Sequence, residues 1–387
     1  MPAISLPESA SVSGILDPAD SSQAARALLG HWLGLQASLC LSPVLARKCL
    51  EASDGDPEAA LGRSGRRPGA SPREIEDWIS ELARRGVRAL PCTAAAYPAR
   101  LRALTDPPPL LLVRGQVGAL VASGVALVGA RAASGYGRRM ATELAAALAQ
   151  AGLVVVSGLA RGVDAAAHRG ALAGGGRTLA VMGCGPDRIY PPEHAELAGQ
   201  VADSGAVLSE LPPGRPPAAA HFPLRNRLIS GLVEAVVVVE ARPRSGSLIT
   251  ARHALQQGRE VLVVPGRIDS VQAQGSNALL REGARPVLEA RDVLEALTGP
   301  FRALPEPVRP DPLGVEGVPS GQDPAALYAA LVDEPRNRDD LQRRMQWPSG
   351  RFALALMELE MAGWVEDDRD GRLSAVPARR RAPPNGA

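Results

Sequence analysis

Four arginines follow apolar runs in the middle of this chain, two of them in glycine-rich turns. Arg131 follows Gly129-Ala130, Arg161 lies between Gly158 and Gly162, and Arg225 and Arg227 flank Asn226. Ser134 and Gly135 close the first turn, and Ser245-Gly246-Ser247 forms a further one. Glycine where a strand turns into a helix lets a ligand backbone approach, and the unpaired N–H groups of the helix start attract phosphate. Forked guanidinium groups on the same rim would neutralise a polyanion. Phe222, one of only three phenylalanines in the chain, precedes Arg225 and offers a base a ring to stack on.

Each of these residues has a plainer reading as well. Arg225 and Arg227 would equally pair with Glu210 or Glu240, and Phe222 would equally serve the core. Asp164 reads as an acid or base, or as a helix N-cap. His168, four residues on, is its partner on one helical face or a packing residue. The chain has no G-x-x-x-x-G-K-[ST], H-E-x-x-H or G-x-S-x-G run, so an enzyme reading lacks a nucleophile and a metal.

The elements that must position these turns are short apolar runs alternating with amphipathic segments. Val125 to Gly129, Leu153 to Ser157, Thr178 to Met182, Ala206 to Ser209, Ala235 to Glu240 and Glu260 to Val264 each read as a buried strand. Continuous apolar strands separated by helices predict an α/β fold, a Rossmann-like parallel sheet with helices on both faces. In such a sheet ligands bind outside the carboxyl ends of the strands, where all of these turns fall.

Composition narrows the partners. The 387 residues carry a formal net charge of +2, too little to coat DNA by bulk electrostatics, so a nucleic-acid site must be local. Cys40, Cys49, Cys92 and Cys184 are far apart, which indicates neither a zinc site nor a disulfide framework. No cofactor or metal is expected. No stretch approaches the ~20 apolar residues of a membrane span, and the start of the chain lacks an export signal, so a cytoplasmic protein is expected.

The flanks differ from the centre. Residues 1–21 read as a flexible tail and 22–90 as an N-terminal helical module, resembling a SAM or helix-hairpin-helix unit, with a polar connector over 53–70. The Rossmann-like domain is expected over 95–298 and a Pro- and Gly-rich linker over 299–323. Three short helices and a hairpin around Asp370-Gly371 predict a winged-helix module over 324–376, before a basic tail at 377–387. Its third helix, 349–363, carries Arg351 among Phe352, Leu354, Met357, Glu358 and Glu360, a poor face for a phosphate-lined groove.

GARAASGYG (129–137), SGLARGVDAAAH (157–168), GCGPDRIYPPEH (183–194), SELP (209–212), FPLRNRLISGL (222–232), VVVVEARPRSGSLITARHAL (236–255) and VPGRIDSVQAQGSNALLREGA (264–284) together resemble the DprA (Smf) family. YPARLRALTDPPPLLLVRG (97–115) is similar to that family's lead-in. The resemblance implies a non-catalytic, homodimeric protein that binds single-stranded DNA and helps load the RecA recombinase in natural transformation. It implies phosphate contact by Arg131, with Phe222 and Arg225 in the same pocket. Ala130 departs from the family's usual serine, and 215–221 is rich in Pro and Ala. The alternative is a nucleotide-hydrolysing enzyme of the LOG type. Those enzymes carry P-G-G-x-G-T-x-x-E, whereas 244–251 reads RSGSLITA without the glutamate.

Overall fold

The computed structural model describes residues 14–298, 321–332, 336–367 and 372–375. They form two compact units, one made by residues 14–298 and the other by those from 321 onward. Of the linker expected over 299–323, residues 299–320 lie outside the described residues while Gln322 and Asp323 already belong to a helix; the turn Asp370-Gly371, the basic tail and the tail up to residue 13 also lie outside.

The first unit opens with helices α1 (Gln23–Leu39), α2 (Pro43–Glu51), α3 (Pro57–Arg63) and α4 (Pro72–Arg84). Ser22, Asp56 and Ser71 cap α1, α3 and α4 by accepting N–H groups of the first turn, and proline stands at the start of α2, α3 and α4. Helix α3 falls within the stretch read as a connector, because the Asp56-Pro57 start signal is followed by only two turns of helix. Leu16, expected in the loose tail, exchanges two backbone hydrogen bonds with Ala89 at 2.8 and 2.9 Å.

The chain then runs through β1 (Val87–Pro91), α5 (Ala99–Arg102) and β2 (Leu110–Gly115) into a regular alternation. This comprises β3 (Gly124–Val128), α6 (Gly135–Gln150), β4 (Val154–Ser157), α7 (Val163–Ala173) and β5 (Thr178–Met182). It continues through α8 (Ala195–Ser204), β6 (Ala206–Ser209), α9 (His221–Gly231), β7 (Ala235–Val238), α10 (Gly246–Gln256) and β8 (Glu260–Val263). Helix α11 (Gln274–Arg281), the short β9 (Arg285–Pro286) and α12 (Ala290–Thr298) complete the unit.

Nine strands join in the order β1-β2-β6-β5-β4-β3-β7-β8-β9. From β6 to β9 every pairing is parallel, while β1 and β2 add an antiparallel edge. The sheet is therefore Rossmann-like with helices on both faces, and larger than the six-stranded parallel sheet expected. Side chains alternate as the pleat requires. Ala126, Val128, Val156, Val236 and Val238 pack beneath α9 and α10, and Val125, Leu127, Val155, Ala235 and Val237 pack beneath α6 and α7. Helices α1 to α4 cover Val87, Ala89, Leu110 and Leu112 of the antiparallel edge, so the helical segment and the sheet share one core.

In the second unit α13 (Gln322–Val332), β10 (Arg336–Asn337), α14 (Arg338–Met345) and α15 (Ser349–Met361) precede β11 (Val365–Asp367) and β12 (Arg372–Ala375). The strands pair in the order β10-β12-β11, giving a winged helix around Leu327, Leu341, Phe352, Leu356 and Trp364. Arg351 is held by the Asp323 carboxylate and lies 4.7 Å from the Trp347 ring centre. Among the described residues, no helix is long and apolar enough to cross a membrane, and no group of three or more His, Cys, Asp or Glu could hold a metal ion.

Candidate nucleic-acid interface

Strands β4, β5 and β6 proceed from β3 in one direction, while β7 and β8 lie on its other side. The strand order thus reverses between β3 and β7, and their carboxyl ends diverge into helices on opposite faces. That is where an open α/β sheet leaves a crevice. A cleft of about 670 Å³ occupies the place, lined by Gly129–Ala132 after β3, Arg242–Ser247 after β7, and Phe222, Arg225 and Asn226 of α9.

The first glycine turn is already filled from within. Glu240, buried at the end of β7, accepts the Ser134 N–H at 2.9 Å and the Ser134 hydroxyl at 2.5 Å, and Ser134 in turn accepts the Gly137 N–H at 3.0 Å. This carboxylate occupies the N-terminus of α6 that was expected to receive phosphate. Ser134, expected at the DNA-binding turn, is engaged by Glu240. Gly129 packs against Val163 and the Glu240 carbonyl, whereas Gly135 is open to solvent.

The second turn is closed in the same way. Asp164 accepts the N–H groups of Gly158 at 3.2 Å and Ala160 at 3.3 Å. Burial raises its carboxyl above the usual range, and the nearby Arg225 offsets part of that rise. A Cβ at Gly158 would collide with the Arg225 guanidinium, and one at Gly162, where φ is +77°, with the carbonyls of Ala130 and Arg131. Both glycines are thus required by the internal packing of the turn. His168 is fully buried against Thr178, with Nδ1 2.7 Å from Oγ1, and makes no hydrogen bond to Asp164.

The four expected arginines separate into distinct groups. Arg227 is 3 % exposed and ion-paired with Glu210 at 2.5 Å and Asp106 at 3.1 Å. It does not reach the rim, because two carboxylates hold it in the interior. Burial pushes the Glu210 carboxyl up to about 7 against the pull of Arg227, with Asp106 adding to the rise. Arg225 is 4 % exposed, and its Nη1 donates to the carbonyls of Val181 and Gly158, the latter at 2.8 Å. Burial lowers it to about 10, which leaves it cationic at neutral pH, on the cleft floor. Arg161 is exposed but paired with Glu193. Arg131 is exposed, and its guanidinium lies over the Phe222 ring.

Phe222 is half-buried, with its ring centre 5.8 Å from that of Tyr190, which is exposed. Asn226 donates to the Gly246 carbonyl at 3.1 Å and ties α9 to the start of α10. Ser245 caps α10, its hydroxyl 2.9 Å from that of the buried Ser247, and Gly246 between them is open. Arg242 and Arg244 are exposed on the cleft and form no ion pair among the described residues. Neither was expected, although both stand just past a strand's carboxyl end, the criterion that selected Arg131. Arg244 has a left-handed backbone, φ +66°, where a non-glycine residue carries strain. All four cysteines are free thiols.

The cleft is therefore cationic at its rim and at its floor, where the Arg225 Nε is buried without a hydrogen-bond partner, an arrangement suited to holding a phosphodiester backbone. Residues 88–298 match the family described as DNA recombination-mediator protein A, and residues 305–371 match the DprA winged helix domain. Protein Smf of Escherichia coli K12 is 40% identical over 298 residues, covering 76% of this chain and 79% of that protein. DNA processing protein DprA of Bacillus subtilis is 36% identical over 285 residues, covering 68% and 96%. The X-ray structure of DNA processing protein A from Streptococcus pneumoniae aligns with a TM-score of 0.56 at 36% identity, covering 65% of this chain and 85% of that one. The chain belongs to the DNA recombination-mediator protein A family, DprA/Smf, and carries that family's winged-helix domain.

Proposed function

We propose that the cleft between β3 and β7 binds single-stranded DNA without altering a covalent bond. One observation carries this reading: Arg131, Arg242 and Arg244 line one cleft and form no ion pair among the described residues. Phosphates of a strand supply the missing charge, and Phe222 with Tyr190 supports a base. Gly135 and Gly246 leave room for the strand backbone. Gly129, Ser134, Gly158, Gly162 and Arg227 act by keeping the turns in place.

The non-catalytic part of the reading is supported by the carboxylates at the cleft. Asp164 and Glu240 are each held by amides of the turns, so neither is placed as a free base. The enzyme alternative predicts release of free base from nucleoside monophosphates by the purified protein. The membership in a recombination-mediator family supports delivery of the bound strand to RecA in the cytoplasm. For the homodimer, Ile268 and Leu288 offer apolar side chains 95% and 80% exposed just past the adjacent strands β8 and β9. Sedimentation of the parent and Leu288→Glu proteins tests that part.

Titration of single- and double-stranded oligonucleotides of equal length, at several salt concentrations, tests the proposal as a whole. Tighter binding of the single strand is expected. Equal affinity for the duplex would remove the basis for the assignment.

A further inference from the structure

Outside the cleft, a run of exposed arginines that form no ion pair among the described residues extends from the end of α3 to the start of α4. Arg63, Arg66, Arg67 and Arg73 stand there with no acidic residue between Glu58 and Glu74. All four are exposed, and none forms an ion pair among the described residues. Glu74, the first acid after them, is engaged by the N–H and hydroxyl of Ser71 at 2.8 and 2.7 Å. In a chain of net charge +2, such a concentration marks a place where an anion is received.

The segment is anchored in a fixed position. Gly69 donates its N–H to the Ser38 hydroxyl at 2.8 Å, and a Cβ there would collide with the Ala37 carbonyl of α1. Ser64 accepts the Arg66 N–H at 3.1 Å while donating to the Leu61 carbonyl at 2.7 Å. The backbone is thus pinned at both ends while the guanidinium groups face solvent, which lowers the entropy lost on contact.

It is also joined to the cleft wall. Gln36, one residue before Ala37, donates its side-chain amide to the Glu210 carbonyl at the end of β6. Trp78 of α4 places its indole nitrogen 3.9 Å from where a Cβ of Gly214 would stand. From Gly214 the chain passes directly to Pro217 and Ala219, which line the cleft. The same loop therefore leans on the helices that carry the arginines and walls the site where Arg131 and Phe222 lie.

We infer that this segment is a second backbone contact for single-stranded DNA leaving the cleft, with Arg66 and Arg67 as its principal phosphate partners. The inference rests on the cleft's being the primary single-strand site. It requires no base recognition, and it makes the total affinity depend on strand length. A strand that only fills the cleft does not touch the segment; a longer one does.

The test uses the full chain and fluorescent oligothymidylates of about six and about twenty nucleotides, followed by anisotropy across a salt series. R66Q/R67Q is expected to bind the longer strand several-fold more weakly, with a log–log salt slope shallower by about 1.4, two contacts at about 0.7 each. Its binding of the short strand should match the parent. An unchanged slope with the longer strand overturns the inference and points to a protein partner for the segment instead. R131A weakens both lengths, so absence of salt-dependent short-strand binding by the parent would fail the cleft reading separately.

Discussion

The guanidinium carbon of Arg131 lies 4.9 Å from the centre of the Phe222 ring. The contact joins the first glycine turn to the start of α9, and places a positive charge and an aromatic face side by side at the mouth of one cleft. Stacked on Phe222, the Arg131 side chain is held without a carboxylate, so its charge stays available to a ligand.

Replacing Phe222 with leucine keeps apolar bulk and removes the ring. Single-stranded DNA binding should weaken by about 1 kcal/mol, within the range measured for loss of one base–aromatic stack. Oligonucleotide titration checks this, and equal affinity would show that the ring only fills space.

Arg227 and Arg131 should respond in opposite ways. Arg227→Ala leaves the buried Glu210 without its ion-pair partner beside the half-buried Asp106 and should cost about 3 to 5 kcal/mol of stability. Arg131→Ala should leave stability within about 0.5 kcal/mol of the parent and weaken binding to all sequences alike. Urea denaturation of both variants makes the comparison.

Much of this was legible in the residues, and the boundary of legibility has a physical cause. Runs such as Val154–Ser157 and Ala235–Val238 are apolar because both faces of a central parallel strand are covered, and composition records that directly. Strands β1 and β2 are bordered by prolines and gain their place by antiparallel pairing, β1 with β2 and β2 with β6, far along the chain. The rim was legible because every special turn follows a strand. Which arginine faces outward was not: Arg227 turns inward because Asp106, from a distant loop, approaches it, and Ser134 is occupied because Glu240 arrives from β7. Arg242 and Arg244 lack the preceding glycine that marks Arg131 and Arg161 in the sequence.

Arg244 separates stability from function. Glycine at that position relieves the left-handed backbone at φ +66° while removing a rim charge. Arg244→Gly should be as stable as the parent or up to about 1 kcal/mol more so, and should bind single strands more weakly. A variant that loses stability and keeps affinity would reverse both assignments.

His168 sets a pH limit. Thr178 donates its hydroxyl to the Val155 carbonyl and so accepts from Nδ1–H of the neutral ring, and Nε2 is buried without a partner. Burial depresses the ring to about 3, from 6.5 when unfolded. Below pH 6.5 the unfolded chain takes up a proton that the folded chain refuses. The contribution is thus complete above 6.5 and falls by about 1.4 kcal/mol per pH unit toward 3. Denaturation at pH 7.5 and 5 should show the parent losing more stability than His168→Gln; parallel losses would place the sensitivity elsewhere.

The most direct test of the cleft is the salt dependence of a short single strand binding to the parent and to R131A/R242A/R244A. Three phosphate contacts at about 0.7 each predict a slope shallower by about 2 in the variant, with folding unaffected. Superimposable salt curves would show that the strand does not lie between β3 and β7.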